Sequence, residues 1–150
     1  MWFHFLLATV ALVVNGRQAQ LTTSASVTDV RAGEHVTLTI DVDLRPGLHV
    51  YAPGVENYMP IAWTLDESTA YRAADVHMPE AHKLHLDVID ETVPVYEGRF
   101  RLVREVTIDR HVHKGQLHIT GALRYQACDD RMCYRPETLP VEWTLTVRRK

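Results

Sequence analysis

Leu117-His-Ile119-Thr-Gly121-Ala-Leu123-Arg-Tyr125-Gln-Ala127-Cys128 and Val141-Glu-Trp143-Thr-Leu145-Thr-Val147 each alternate between apolar and polar side chains. Between them lies Asp129-Asp-Arg-Met-Cys133-Tyr-Arg-Pro-Glu-Thr138. Period two on both sides of a short polar stretch predicts two antiparallel strands, with Asp129 to Met132 as the loop between them. The only two cysteines, Cys128 and Cys133, are then placed opposite one another at the tip of a hairpin.

The same pattern extends upstream. Val36, Leu38, Ile40, Val42 and Leu44 alternate with polar residues, as in a strand with one buried and one wet face. Arg45-Pro-Gly47 ends that strand, and Leu48 to Tyr51 begins another. Leu21 to Arg31 reads as an edge strand, and Ile61 to Leu65 as a short strand with Trp63 in the core. Tyr71 to Met78 and Lys83 to Ile89 read as two more strands. Asp90 to Pro94 reads as a loop, because proline is excluded from central strands. Along Phe100 to Ile108 the alternation slips at Leu102–Val103, which predicts a bulge. Short strands at this spacing, with no sustained 3.6-residue period, predict an all-β, immunoglobulin-like antiparallel β-sandwich.

The chain has 150 residues, enough for one domain with an ordinary core. Its 16 basic and 19 acidic residues give a net charge of −3, with no basic surface of the kind nucleic acid requires. Met1 to Val14 is apolar apart from His4 and Thr9 but too short to span a bilayer, which takes about 20 residues. It matches the hydrophobic part of a secretory signal, so residues 1–19 are expected to be a leader and 20–150 the exported domain. Export places the cysteines where disulfides persist.

Opposed Cα atoms in antiparallel strands are about 4.5 or 5.5 Å apart, within reach of a disulfide. Closing so short a loop removes only about 2 kcal/mol of unfolded-state entropy, a weak return for a purely structural staple. Exposed disulfides at loop tips exchange readily. Arg131 is the sole nearby cation, opposed by Asp129 and Asp130, so built-in thiolate activation is modest. Local chemistry leaves a structural cystine and a redox switch both open.

The segment Tyr125-Gln-Ala-Cys128, four residues, then Cys133-Tyr-Arg-Pro-Glu-Thr138 resembles the active-site hairpin of a known family. That family is the N-terminal periplasmic domain of the bacterial thiol:disulfide interchange protein DsbD. Pro46-Gly-Leu-His-Val-Tyr51 and Val95-Tyr96 through Ile108 are similar to two further strands of that domain. The resemblance implies an immunoglobulin-like fold and a redox-active Cys128/Cys133 pair that needs no metal and no cofactor. It also implies a protein-disulfide reductase type of activity in the periplasm or another exported location. Partners would be thioredoxin-fold proteins: an electron donor, and a disulfide isomerase or cytochrome c maturation acceptor. Cys133 would form the mixed disulfide and Cys128 would resolve it. Asp90, Glu91, Thr92, Val93 and Pro94 would form a cap over the pair, lacking the family's aromatic residue, a place Tyr96 could take. Tyr51 and His49 would lie beneath the pair and Tyr134 beside it. The family's membrane and C-terminal thioredoxin-like domains are not in these 150 residues, so electrons would come from a separate protein, or the chain would be a stand-alone descendant with a changed task.

Two alternatives stand beside the relay. One is a secreted immunoglobulin-like interaction module with an inert cystine. The other is a periplasmic copper-binding domain using Cys128, Met132 and Cys133 as soft ligands. The nine histidines, His111 and His113 among them, fix no third ligand by spacing.

Overall fold

The computed structural model describes residues 10–149, and among them it is all β, with no helix that could cross a membrane. In chain order the strands are β1 (Leu12–Asn15), β2 (Ala19–Ala25), β3 (Asp29–Arg31), β4 (His35–Leu44), β5 (His49–Tyr51), β6 (Ala62–Leu65) and β7 (Tyr71–Ala73). They continue with β8 (His82–Leu86), β9 (Glu91–Glu97), β10 (Arg99–Ile108), β11 (Gly115–Tyr125), β12 (Ala127–Cys128) and β13 (Glu137–Arg148). One sheet has the order β1-β2-β4-β10-β7, a second β3-β13-β11-β6, and a third β12-β5-β9-β8. Every strand pairing is antiparallel except β13 with β3.

The alternation read from β4 is realised. Val36, Leu38, Ile40, Val42 and Leu44 are buried. They share one core with Leu21, Leu102, Val106, Ile119, Leu123, Val141, Trp143 and Leu145 from the neighbouring and facing strands. Each fully buried leucine or isoleucine there contributes about 1.5–3 kcal/mol relative to exposure. Trp63 and Trp143 stack at 5.3 Å within this core. The first two sheets are also joined by polar contacts: Trp143 Nε1 donates to Ser24 O at 2.9 Å, and Thr23 Oγ1 to Glu142 O at 3.3 Å. This is the sandwich that the strand pattern predicts.

Several local expectations are corrected. Leu21 to Arg31 is not one edge strand: β2 lies between β1 and β4, and β3 crosses to the second sheet. Of the stretch expected at Tyr71 to Met78 only Tyr71–Ala73 is strand, and the one expected at Lys83 to Ile89 is His82–Leu86, shifted towards the N-terminus and shorter. No bulge interrupts β10, which keeps one register against β4 from Arg99↔Asp43 to Thr107↔His35. The apparent slip arises because Arg104 occupies a core-facing position. Its guanidinium reaches Ala74 O at 2.6 Å and Trp63 O at 3.3 Å, so the charge is hydrogen-bonded at the end of a packed stem. The sheet also takes in Leu12–Asn15 and Ala19, which fall in the expected leader; residues 1–9 of that leader lie outside the described residues.

Gly121 lies on β11 between β13 and β6. A Cβ there would land on the Thr64 carbonyl oxygen and lie 3.0 Å from Leu65 Cα, both backbone atoms that cannot swing aside. Gly121→Ala should therefore destabilise the domain by about 1–3 kcal/mol, through forced separation of β6 from β11. Urea unfolding reads this as a lower midpoint at unchanged slope; a midpoint equal to the parent's would refute the close approach.

Candidate redox site

The ladder between β11 and β13 runs from Gly115↔Val147 to Tyr125↔Glu137 and stops there. The chain then changes sheets. Ala127 and Cys128 pair with Val50 and His49, which attaches them to the third sheet. Cys128 also bridges to Cys133, whose Cα is 4.0 Å away, and the two sulfurs are bonded. The expected opposition of the cysteines is present, but not as the tip of an unbroken hairpin. Three steps lead from Tyr125 to Cys128, and four lead back from Glu137 to Cys133, so the return strand carries an extra residue beside Pro136.

Hydrogen bonds hold this segment in shape. Tyr134 N donates to Ala127 O at 2.8 Å, and Gln126 Nε2 to Tyr134 O at 3.0 Å. Asp129 Oδ1 accepts from Arg131 N at 2.8 Å and Met132 N at 2.7 Å, so its carboxylate organises the turn. Those two backbone donors hold the Asp129 carboxyl below its usual range. The sequence reading treats Asp129 only as a charge opposing Arg131; an Asp with amides two and three residues on is the signal that would have found its turn role.

The two cysteines differ sharply in exposure. Cys128 is 2% exposed, whereas Cys133 is exposed, beside an open cleft of about 590 Å³ lined by Met132, Tyr134, Arg135, Arg17 and Glu137. At the base of that cleft, Glu137 accepts from Tyr125 Oη at 2.9 Å and from Arg17 N at 3.0 Å. Burial, with the nearby Glu137 carboxylate, pushes the Tyr125 phenol well above its ordinary range. The bonded sulfurs are not free thiolates, so they offer no soft pair to Cu(I) in this state.

Alternation within the third sheet sorts its side chains. Val50, Tyr96 and Ala127 face the main core. On the opposite face, Cys128, Tyr51, Val93 and Val95 form a separate apolar cluster, joined by Val55, Tyr58, Leu84 and Leu86. His49 shares the face of Tyr51, which it meets edge-on at 5.4 Å. His49 and Tyr51 thus lie in the buried neighbourhood of Cys128.

The cap differs from expectation. Asp90, with φ of 52°, ends a turn, while Glu91, Thr92, Val93 and Pro94 open β9, a central strand of the third sheet. Pro94 is tolerated because it lies opposite Ala52, one position beyond the end of β5. Its carbonyl accepts from Ala52 N at 3.0 Å, so only the reciprocal bond is missing. Val93 packs in the cluster with Cys128, whereas Tyr96 points into the core, stacks on Phe100 at 5.0 Å and donates to Pro79 O. Tyr96 therefore does not take the place of a covering aromatic. Tyr134 likewise rests against the main core. A second aromatic beside Tyr51 joins the cysteine cluster from the β5–β6 loop: Tyr58, stacked on Tyr51 at 4.3 Å. Its hydroxyl donates to Glu91 Oε2 at 2.8 Å, and this bond pushes the phenol up to about 12. Nothing in the local sequence around Tyr58 predicts that contact, which depends on how a loop folds back.

Two measurements check this geometry. Tyr58→Ala should speed reduction of the disulfide by a small bulk thiol several-fold, because part of the cover over Cys128 is removed; an unchanged rate would mean Tyr58 covers nothing. Burial lowers the proton affinity of His49 from its ordinary value of 6.5, despite the opposing effect of Glu97. The unfolded chain then binds more protons, so stability is full above pH 6.5 and falls as pH drops through the folded-state value. Replacing His49 with glutamine should flatten that acid limb of a urea-midpoint profile; parallel profiles would show that His49 is not buried neutral.

The sequence profile of the family described as "Thiol:disulfide interchange protein DsbD, N-terminal" matches residues 17–144. Among solved structures, the N-terminal periplasmic domain of ScsB from Proteus mirabilis is similar with a TM-score of 0.58 and 17% sequence identity, covering 89% of this chain and 50% of that one. This chain thus spans half the length of that structure, and at such identity the likeness speaks for the fold alone. The reduced DsbD N-terminal domain of Neisseria meningitidis gives a TM-score of 0.48 at 14% identity, over 73% of this chain and 77% of that one. No curated protein sequence matches. With most of its length matched by the profile, this chain belongs to the DsbD N-terminal domain family.

Proposed function

We propose that the chain is an exported thiol–disulfide exchange module, a thiol-disulfide oxidoreductase component that passes electron pairs between thioredoxin-fold proteins. The observation that carries this reading is the unequal exposure of the two bonded cysteines, Cys133 open and Cys128 2% exposed. An incoming thiolate attacks the exposed Cys133, and Cys128 is then the leaving sulfur. In the other direction, Cys133 attacks a partner disulfide and Cys128 resolves the mixed disulfide. Family membership supports the chemistry, and the cleft beside Cys133 supports a protein partner.

In this reading Cys133 is the sulfur shared with the partner, and Cys128 the resolving cysteine. His49, Tyr51 and Val93 line the buried side, Tyr134 backs the Cys133 strand, and the Asp90–Pro94 segment supplies Val93 and the Glu91 that holds the covering Tyr58. The partners are periplasmic thioredoxin-fold proteins, one donating electrons and another, a disulfide isomerase or cytochrome c maturation protein, accepting them. The apolar start of the chain, within residues 1–19, serves as the export signal, while Leu12–Asn15 and Ala19 remain part of the folded domain.

Trapping tests the proposal. Cys128→Ala leaves Cys133 unable to be released by its neighbour, so it should accumulate a mixed disulfide with a purified thioredoxin-fold partner, visible on non-reducing gels. Cys133→Ala should accumulate several-fold less, because its remaining sulfur is buried. Equal trapping by both variants would invalidate the assignment of roles, and trapping by neither would remove the exchange reading in favour of an inert cystine.

A further inference from the structure

His49 is 2% exposed, and its Nε2 is buried without a hydrogen-bond partner. Native structures rarely leave such an atom unsatisfied without a reason. Its strand places it directly opposite Cys128 on one side and Glu97 on the other, so the three side chains share one row and one face of the third sheet. Directly opposed residues of antiparallel strands have Cβ atoms about 4.5–5.5 Å apart, which puts an imidazole within reach of the neighbouring sulfur.

Resolving a mixed disulfide requires Cys128 as a thiolate, and a thiol enclosed by Tyr51, Val93 and Val95 resists ionisation. Arg131, the cation nearest in sequence, is exposed in the turn. The titratable groups around the row are Glu97 on β9, His82 on β8, Tyr51 on β5, and Asp129 and Asp130 in the turn. Of these, His82 is occupied with Glu97 at 3.1 Å. His49 alone combines burial, a free acceptor nitrogen and a place opposite Cys128.

We propose that His49 is the proton acceptor for Cys128 in the second half of the exchange. The proposal rests on the exchange reading above. In that step the Cys128 S–H proton passes to His49 Nε2. The thiolate attacks Cys133 Sγ, the Cys128–Cys133 bond forms and the bond from Cys133 to the partner sulfur breaks. The partner sulfur leaves as a thiolate and takes a proton from solvent. The two cysteines lose an electron pair, and the partner gains it. Burial keeps the resting imidazole neutral and ready to accept, because desolvation outweighs the pull of the surrounding carboxylates. Those same carboxylates, Glu97, Asp129 and Asp130, then favour the imidazolium once it has formed.

A chromogenic aromatic disulfide that releases one coloured thiolate at each exchange separates the two halves. Reduced protein should release the first thiolate as Cys133 attacks and the second as Cys128 resolves. His49→Gln should leave the first phase intact and slow the second by at least about tenfold. Its second phase should also keep rising with pH toward the ordinary thiol range near about 8.5, where the parent has levelled off at lower pH. Glu97→Gln, a change at an exposed position, provides a second arm should the histidine variant fold poorly. It should shift the parent's second-phase midpoint to lower pH, because a carboxylate favouring the imidazolium is gone. Unchanged second-phase rates and profiles in the variants would overturn the assignment of His49 while leaving exchange intact. A parent that never releases a second thiolate would overturn both.

Discussion

Two residues, Ala127 and Cys128, leave the sheet they would have continued and pair with Val50 and His49 instead. The rest of the site depends on that transfer. Had β11 run on beside β13, the cysteines would have formed a symmetric pair at an exposed tip. The crossing presses Cys128 against the buried face of the third sheet and leaves Cys133 on the returning strand, outside it. The extra residue in the return accommodates the crossing, and the bonds from Tyr134 N to Ala127 O and from Gln126 to Tyr134 O hold it. A covalent bond between chemically identical groups thereby gains a distinct inside and outside.

The third sheet is what makes that distinction useful. One face, through Val50, Tyr96 and Ala127, is fixed to the main core, so its position is set by the stability of the sandwich. The other face carries the buried cysteine, in a small cluster drawn from β5, β8, β9, β12 and the β5–β6 loop. Packing on one side positions Cys128 and its neighbours on the other, which allows the site to be precise although its cover is a loop and a hairpin.

The fold was legible in the sequence because sandwich strands write their buried face at period two, and β4, β11 and β13 do so with little interruption. The pairing of the cysteines was legible from spacing, and the family from the residues that flank them. What escaped has physical causes. Arg104 carries a polar head on a core-facing stem and so imitates a bulge. Pro94 stands in a central strand only because β5 ends just before the bond it cannot make. The departure of β12 from its sheet leaves no mark in alternation, since Tyr125 and Ala127 remain in phase through it. Tyr58 and Glu91 are separated by 33 positions and meet only through the folded loop.

The enclosure of Cys128 also constrains how the molecule must move. Breaking a bond between two sulfurs forces them apart, to the distance of atoms in mere contact. Cys128 is walled by Tyr51, Val93 and Val95 and tied to β5, so it has little room to retreat. Displacement falls on the other sulfur, carried by the turn from Asp129 to Met132 and the strand beyond it. In the proposed exchange, the outline of that turn against its cleft would therefore differ between the bonded and the reduced pair, a difference of shape that a docking partner would meet before any bond is exchanged.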